Sequence, residues 1–401
     1  MSMKLRRQME DFRVTEQSSL QVGSAGPFAV YDLKKVGWTT LDAIDRLARQ
    51  LDLPRRNINH AGLKDRYAVT SQRVTIRNGP RRSYDDGPLS LTYLGQSTRE
   101  ISSDDIASNQ FTIVLRSLTP EEHQLAAQAL PEIQQSGVPN YFDDQRFGSW
   151  FPEHGFIAAA WIRDRYEEAF RLAFAEFEPT DNADERQQKA ILRELWGDWI
   201  QCKQLLDRSH RRSIVTYLCD HPADFKGAWA LVNPDLRGLY LSALQSHLWN
   251  QIVSEMFVRH CNPDQLVNMT LKPGPVAAPR RLTEEQREFF LNASCPLPSA
   301  RLRLEDFAEP ELVAEVLAKQ GWTLPELKVR FPRDKFFSRA QRPVMIPVKD
   351  CSGEFADDDL DPGRTRLTLT FTLPRGAYAT MVVKRLTLGE PVADETPETA
   401  L

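Results

Sequence analysis

Asp65 is the carboxylate in this chain whose setting best suits chemistry. It lies in HAGLKDRYAVTSQ, bracketed by Lys64 and Arg66 and shortly after Gly62. Gly62 permits a tight turn, and flanking cations favour the charged form of a carboxylate, which is a competent nucleophile or base. Such a group would act without a metal or cofactor. The plainer reading is an exposed loop carboxylate that only solvates the surface.

A second segment, GVPNYFDDQRFGSW, gathers Asn140, Tyr141, Phe142, Gln145, Arg146, Phe147 and Trp150. Aromatics interleaved with amides and Arg suit an unstacked base, which stacks on rings for ~1–3 kcal/mol and is read at its edge by amides. The same residues also make an ordinary core. A third stretch, Lys328 to Pro343, carries Lys328, Arg330, Arg333, Lys335, Arg339 and Arg342 against one acid, with Phe331, Phe336 and Phe337 between them. It reads either as an RNA-contact strip or as a basic linker anchored by its phenylalanines. DRSHRRS at 207 to 213 is a weaker basic patch.

Other chemistries lose support. There is no GxxxxGK[ST] phosphate loop, GxGxxG turn, HExxH helix or GxSxG elbow. The five cysteines, at 202, 219, 261, 295 and 351, lack zinc or redox spacing and read as reduced packing thiols. The seven histidines are scattered, so no metal site is expected. Asp357, Asp359 and Asp361 imitate a calcium loop, but Pro362 stands where that loop needs glycine, so the run reads as a solvated loop.

The elements that must position these residues alternate in type. Leu41, Ile44, Leu47 and Leu51 after Thr39-Thr40 predict a capped amphipathic helix. Val74 and Ile76, and Phe111, Ile113 and Leu115, predict strands around the turn-rich stretch Asn78 to Gly87. From Phe156 to Asp207, and again through Leu241, Leu244, Leu248 and Ile252, the period is helical. Pro263, Pro273, Pro275 and Pro279 predict a loop, followed by helices near Leu282 to Leu291 and Pro310 to Lys319. Arg366 to Leu373 alternates Leu or Phe with Thr and predicts a strand with one buried face. Strands near both ends around a helical middle imply a sheet built from both termini with an inserted domain.

The 401 residues, 41% hydrophobic and 26% charged, fit two or three soluble domains. The formal charge of -4 names no polyanionic partner, although residues 1 to 100 hold 17 basic against 11 acidic residues. No apolar run approaches the ~20 residues a membrane helix needs, and the opening lacks a secretory segment. A cytoplasmic location is expected.

Read in order, seven segments resemble the TruD family of tRNA pseudouridine synthases: EDFRVTE (Glu10 to Glu16), KVGWTT (Lys35 to Thr40), AGLKDRYAVTSQ (Ala61 to Gln72), NQFTIVLR (Asn109 to Arg116), GVPNYFDDQRFG (Gly137 to Gly148), YLSALQSHLWNQ (Tyr240 to Gln251) and FTLPRGAYAT (Phe371 to Thr380). The stretches 165 to 235 and 262 to 330 carry little that matches. The resemblance implies an α+β chain with the pseudouridine synthase fold, a mixed, largely antiparallel sheet with helices, plus an inserted, mostly helical TRUD domain. The expected boundaries are 1–157 and 343–401 for the catalytic domain and 158–342 for the insertion.

The resemblance further implies that Asp65 attacks the ribose of a flipped-out uridine in tRNA, at position 13 in bacterial relatives. The carboxylate adds to the anomeric carbon or removes a neighbouring ribose proton; the sequence leaves both open. Arg6, Lys64, Asn140, Phe142 and Tyr378 are the implied substrate-binding residues. Asn140 would order the loop, Phe142 pack on uracil, and Tyr378 stack on the base or assist the last deprotonation, with a core role for Tyr378 as the alternative. Lys328, Arg330, Arg333, Lys335 and Arg339 are candidate RNA contacts. No cofactor, metal or membrane is implied, and a monomer is expected. Asp143, Tyr67, Ser108 and Met9 depart from the residues usual in the family. The competing readings are a non-catalytic RNA-binding or RNA-chaperone protein that retains the fold, and a carboxylate-dependent hydrolase of a small substrate.

Overall fold

Alternating apolar residues build one large mixed sheet. The computed structural model describes residues 3–178, 181–329, 337–387 and 393–394. Its principal strands are β1 (Phe12–Ser18), β2 (Phe28–Val36), β3 (Val69–Arg77), β4 (Leu89–Ser97), β5 (Ile106–Leu118), β6 (Lys349–Asp357) and β7 (Thr365–Pro374). Their spatial order is β6-β7-β5-β1-β3-β2-β4, within eleven strands in all among the described residues. β1 and β3 run parallel, with Arg13 opposite Val69. The other neighbours among these seven are antiparallel. Two strands from the C-terminal part thus join, through the pairing of β7 with β5, a sheet whose other principal strands all precede residue 120, and the fold is α+β as expected.

The helices fit the sheet for sequence reasons. Helix α1 (Thr40–Gln50) begins where the Thr39 side chain accepts the Asp42 N–H, a cap worth ~1 kcal/mol. It buries Ala43, Ile44 and Leu47 against Leu33, Val74, Ile76 and Leu91. Helix α2 (Pro120–Ser136) and the helix Ala379–Leu386 bury Ala129, Ile133, Val382 and Leu386 against Ile113, Leu115, Leu367 and Leu369. In β7 the expected face is inside: Leu367, Leu369, Phe371 and Leu373 are all buried.

The chain divides into two compact units: Met1–Asn140, Arg280–Leu291 and Met345–Leu401 form one, and Tyr141–Pro279 with Asn292–Val344 the other. The first crossing therefore falls at 140/141, ahead of the expected 157/158. The aromatics after Asn140 pack on α3 (Pro234–His260), the long helix of the second unit, as the Phe142 and Trp249 rings show at 5.7 Å. The second unit is mostly helical. Helices over Glu284–Asn292 and Pro310–Lys319 match the expected ones.

Two expectations are corrected. The proline-rich loop is a hairpin, Leu266–Leu271 paired with Gly274–Pro279. The Ala277 N–H points out of the ladder to Ser254 Oγ at 2.8 Å. Pro275 and Pro279 share its parity, so neither removes a ladder bond. The acidic run is solvated only in part, since Asp357 and Asp359 are exposed but the residue between them is not. Asp358 is buried, and Arg116 Nη1 donates to Asp358 and Asp359 at 3.0 and 2.9 Å while its Nε reaches both oxygens of buried Asp11.

Arg116→Met leaves Asp11 and Asp358 buried without their counter-charge and is expected to lower stability by about 3–5 kcal/mol, read as a lower urea midpoint. Burial pushes the Asp358 carboxyl up, but the Leu360 and Ser117 N–H groups and Arg116 outweigh it and hold it below its ordinary value. The stabilisation is therefore complete above the unfolded value near ~4 and lost as pH falls through the folded one. An acid titration of wild type and Arg116→Met should differ in that window.

Candidate active site

Asp65 keeps a reachable carboxylate. Its side chain is 47% exposed, and Arg6 Nη2 donates to Oδ2 at 2.7 Å. Arg6 is itself held, its guanidinium lying 4.1 Å over the Phe12 ring at the start of β1. Its backbone has φ 60, a conformation costly for a side-chain-bearing residue, which turns the chain just before β1.

The backbone under Asp65 is pinned from three strands and a helix. Lys35, near the end of β2, is fully buried, and its ammonium donates to the carbonyls of Trp38, Lys64 and Asp65 at 2.7, 3.2 and 2.7 Å. The first residue of α1, Thr40, accepts the Lys64 N–H at 2.9 Å and donates to Gln72 Oε1 at 3.0 Å. Gln72 of β3 then donates to Gly62 O at 2.8 Å. The Lys64 ammonium turns inward to pair with Glu16 of β1, whose side chain is fully buried. Lys64, expected among the substrate-binding residues, is thus placed as a brace of the loop.

Strand register brings further motif segments to the same row. Glu16 pairs with Asn109 and Asn109 with Leu373, so the end of β7 lies two strand spacings from Glu16, ~10 Å. There the chain turns through Gly376 at φ 81, and half-buried Tyr378 caps the helix Ala379–Leu386. Arg6, Lys64, Asp65 and Tyr378 therefore share one unit, on segments set by the register of β1, β3, β5 and β7.

Asn140 and Phe142 fall on either side of the unit boundary. Asn140 is buried at the end of the first unit. In the second, Asn250 of α3 clamps the Phe142 backbone through both its N–H and C=O, at 3.0 and 2.8 Å, and the Arg342 guanidinium lies 4.0 Å over the ring. Of the basic strip, Lys328 and Arg339 are exposed while Phe337 is buried as an anchor. Arg330, Arg333 and Lys335 lie outside the described residues. Departing residue Asp143 is buried within the second unit rather than on an open surface.

The sequence motifs give Glu16, Lys35 and Gln72 no individual role and mark Thr40 only as part of a helix cap. A signal was present: Glu16 continues the inward phase of Phe12 and Val14, Lys35 that of Ala29, Tyr31 and Leu33, and Gln72 that of Val74 and Ile76. A charge or amide in the apolar phase of a strand must find a buried partner.

Comparison with known proteins gives a consistent result. The family model described as tRNA pseudouridine synthase D (TruD) matches residues 1–386. A protein of Methanocaldococcus jannaschii named as a probable tRNA pseudouridine synthase D 2 is 29% identical over 399 residues, covering 96% of this chain and 92% of its own. The Leptospira interrogans protein named tRNA pseudouridine synthase D is 29% identical over 394 residues, covering 96% of each. A crystal structure from Methanosarcina mazei, named for tRNA pseudouridine synthase D (TruD), superposes with a TM-score of 0.74 at 25% identity, covering 96% of this chain and 93% of that one. Among the described residues, no helix is long and apolar enough to cross a membrane.

Thr40→Val removes both an acceptor for the Lys64 N–H and a donor to Gln72, and should loosen the loop locally by about 1–3 kcal/mol. Hydrogen exchange at the Lys64 amide should quicken accordingly, while amides of β5 and β7 keep wild-type protection.

Proposed function

The chain belongs to the tRNA pseudouridine synthase D (TruD) family, and from that premise we propose that Asp65 is the group that attacks the ribose of a flipped-out uridine in tRNA, at position 13. The enzyme is a tRNA pseudouridine synthase; the attacking residue and the target position are the proposal. One observation carries it: a half-exposed carboxylate on a loop whose backbone is fixed at Gly62, Lys64 and Asp65 by buried partners. A solvating surface carboxylate requires no such fixation, whereas attack requires the reacting atoms to be held within ~3–3.5 Å.

The chemistry is an isomerisation and balances without a co-reactant. The bond between the anomeric carbon and N1 breaks, uracil turns within the site, a bond forms from C5 to the anomeric carbon, and the C5 proton leaves while N1 takes one up, so that atoms and charge are conserved. The carboxylate starts this by adding to the anomeric carbon or by taking the neighbouring ribose proton. Arg6 holds the carboxylate by one oxygen while the group keeps its exposure. Tyr378 offers a face for the detached base and Asn140 orders its own loop, while exposed Lys328 and Arg339 of the second unit contact phosphates of the tRNA. Extruding the uridine costs a few kcal/mol, offset by these stacking and phosphate contacts.

Asp65→Asn should lower pseudouridine formation in unmodified tRNA transcripts by about 10²–10⁴-fold or more while leaving tRNA binding intact. Nucleotide-resolution mapping of pseudouridine reads both activity and position. Undiminished activity would sink the assignment, and a product elsewhere than position 13 would correct the target. Tyr378→Ala should cost about 1–3 kcal/mol of base stacking, seen in kcat/KM. Tyr378→Phe separates the two roles, since it keeps the ring and loses only the hydroxyl.

A further inference from the structure

We propose that Lys35 is a positioning residue for the Asp65 carboxylate: its three ammonium N–H groups, bonded to the carbonyl oxygens of Trp38, Lys64 and Asp65, fix the backbone from which that carboxylate projects. This rests on Asp65 being the attacking group.

An ammonium has three donors and no acceptor. Here the three carbonyl distances, 2.7, 3.2 and 2.7 Å, use that capacity in full. Lys35 is completely buried and continues a strand phase otherwise filled by Ala29, Tyr31 and Leu33. An apolar side chain there would avoid the cost of burying a charge, so the gain lies in what the ammonium holds. Two of its carbonyls belong to the loop residues Lys64 and Asp65, and the third to Trp38, at the turn into α1. Lys35 therefore ties the loop to the turn that also supplies Thr40, the acceptor of the Lys64 N–H.

The bond to Asp65 is made to its main chain, so the carboxylate itself stays exposed. The charged groups about the ammonium are Asp65 and Lys64 from the loop, with Arg6 paired to the former and Glu16 of β1 to the latter; Thr40 and Gln72 contribute neutral groups.

Burial lowers the Lys35 ammonium to about 8, with Asp65 raising and Lys64 further lowering it. The folded value lies below the unfolded one, so between the two the unfolded chain binds more protons and Lys35 makes global stability rise with pH. Loop order responds in the opposite sense. A neutral amine keeps two N–H donors and turns a lone pair toward the third carbonyl. Turnover should then fall as pH rises through about 8, with no matching loss of stability from this residue.

The test uses the full chain, single-turnover pseudouridine formation, tRNA binding and thermal unfolding. Lys35→Met should lower the single-turnover rate about 100-fold, the effect of misplacing a reacting group by about 1 Å. Its tRNA affinity should stay within about threefold and its unfolding remain cooperative. Lys35→Arg retains its charge through the alkaline range and should lack the wild-type decline above pH 8 whatever its absolute rate. A folded Lys35→Met with the wild-type rate overturns the proposal. So do identical alkaline limbs in wild type and Lys35→Arg, which decide the matter should Lys35→Met fail to fold. An active Asp65→Asn enzyme would instead remove the premise, separately from either result.

Discussion

The Asp65 carboxylate is open to solvent, and a loop facing solvent cannot be held by apolar packing. That constraint organises the first unit of this protein. The loop is fixed from beneath through polar bonds, and because those bonds lie in the interior, every group making them has to be satisfied. Lys35 spends three donors on three carbonyls, Thr40 both accepts and donates, and Gln72 is engaged at both ends of its amide. The Lys64 and Glu16 pair neutralises a charge that would otherwise be buried alone. A fully connected network of this kind stores rigidity where an apolar core would store only stability.

The sheet topology makes such a network possible. Because β2 is antiparallel to β3 with Val36 opposite Val69, the end of β2 adjoins the entry to β3, where the loop arrives. Lys35 therefore reaches the loop from its own strand, and the turn after it delivers Thr40 to the same place. The parallel pairing of β1 with β3 sets Glu16 on the opposite flank. Three sequence segments far apart in the chain become neighbours through strand register alone. The same register, carried from β1 through β5 to β7, sets the turn before Tyr378 on that row.

Periodic features of the fold were legible in the sequence, and isolated polar ones were not. The alternation in Arg366 to Leu373 and the capped helix after Thr39 appear as expected because each follows from local chemistry repeated over several residues. The hairpin at Leu266–Pro279 was hidden because a proline count ignores parity, and parity decides whether a missing N–H matters. The acidic run was partly misread, for a similar reason: its partner, Arg116, lies more than two hundred residues away. At the site, Asp65 stood out through its loop, while Lys35 and Glu16 acquire meaning only once the strands are paired. Arg342, a member of the basic strip that reads either as an RNA contact or as a linker, is stacked on Phe142 of its own unit.

Arg6 and the buried braces act on different degrees of freedom. An ion pair with one partner nearly half exposed is worth only ~0–1 kcal/mol, so the Arg6 and Asp65 pair cannot be what holds the loop in place. Lys35, Thr40 and Gln72 bond to main-chain atoms at Gly62, Lys64 and Asp65, and so restrict φ and ψ. Arg6 bonds to the carboxylate and so restricts the side-chain torsions, and its own freedom is limited by the Phe12 ring beneath it. Backbone order comes from the interior, where polar bonds are strong and water is excluded. Side-chain orientation comes from the surface, where, in the role proposed for Asp65, a weak pair can yield to an incoming ribose without disturbing what lies below. The proposed role requires both strength at the first level and weakness at the second, because a carboxylate held as firmly as its backbone could not change partners.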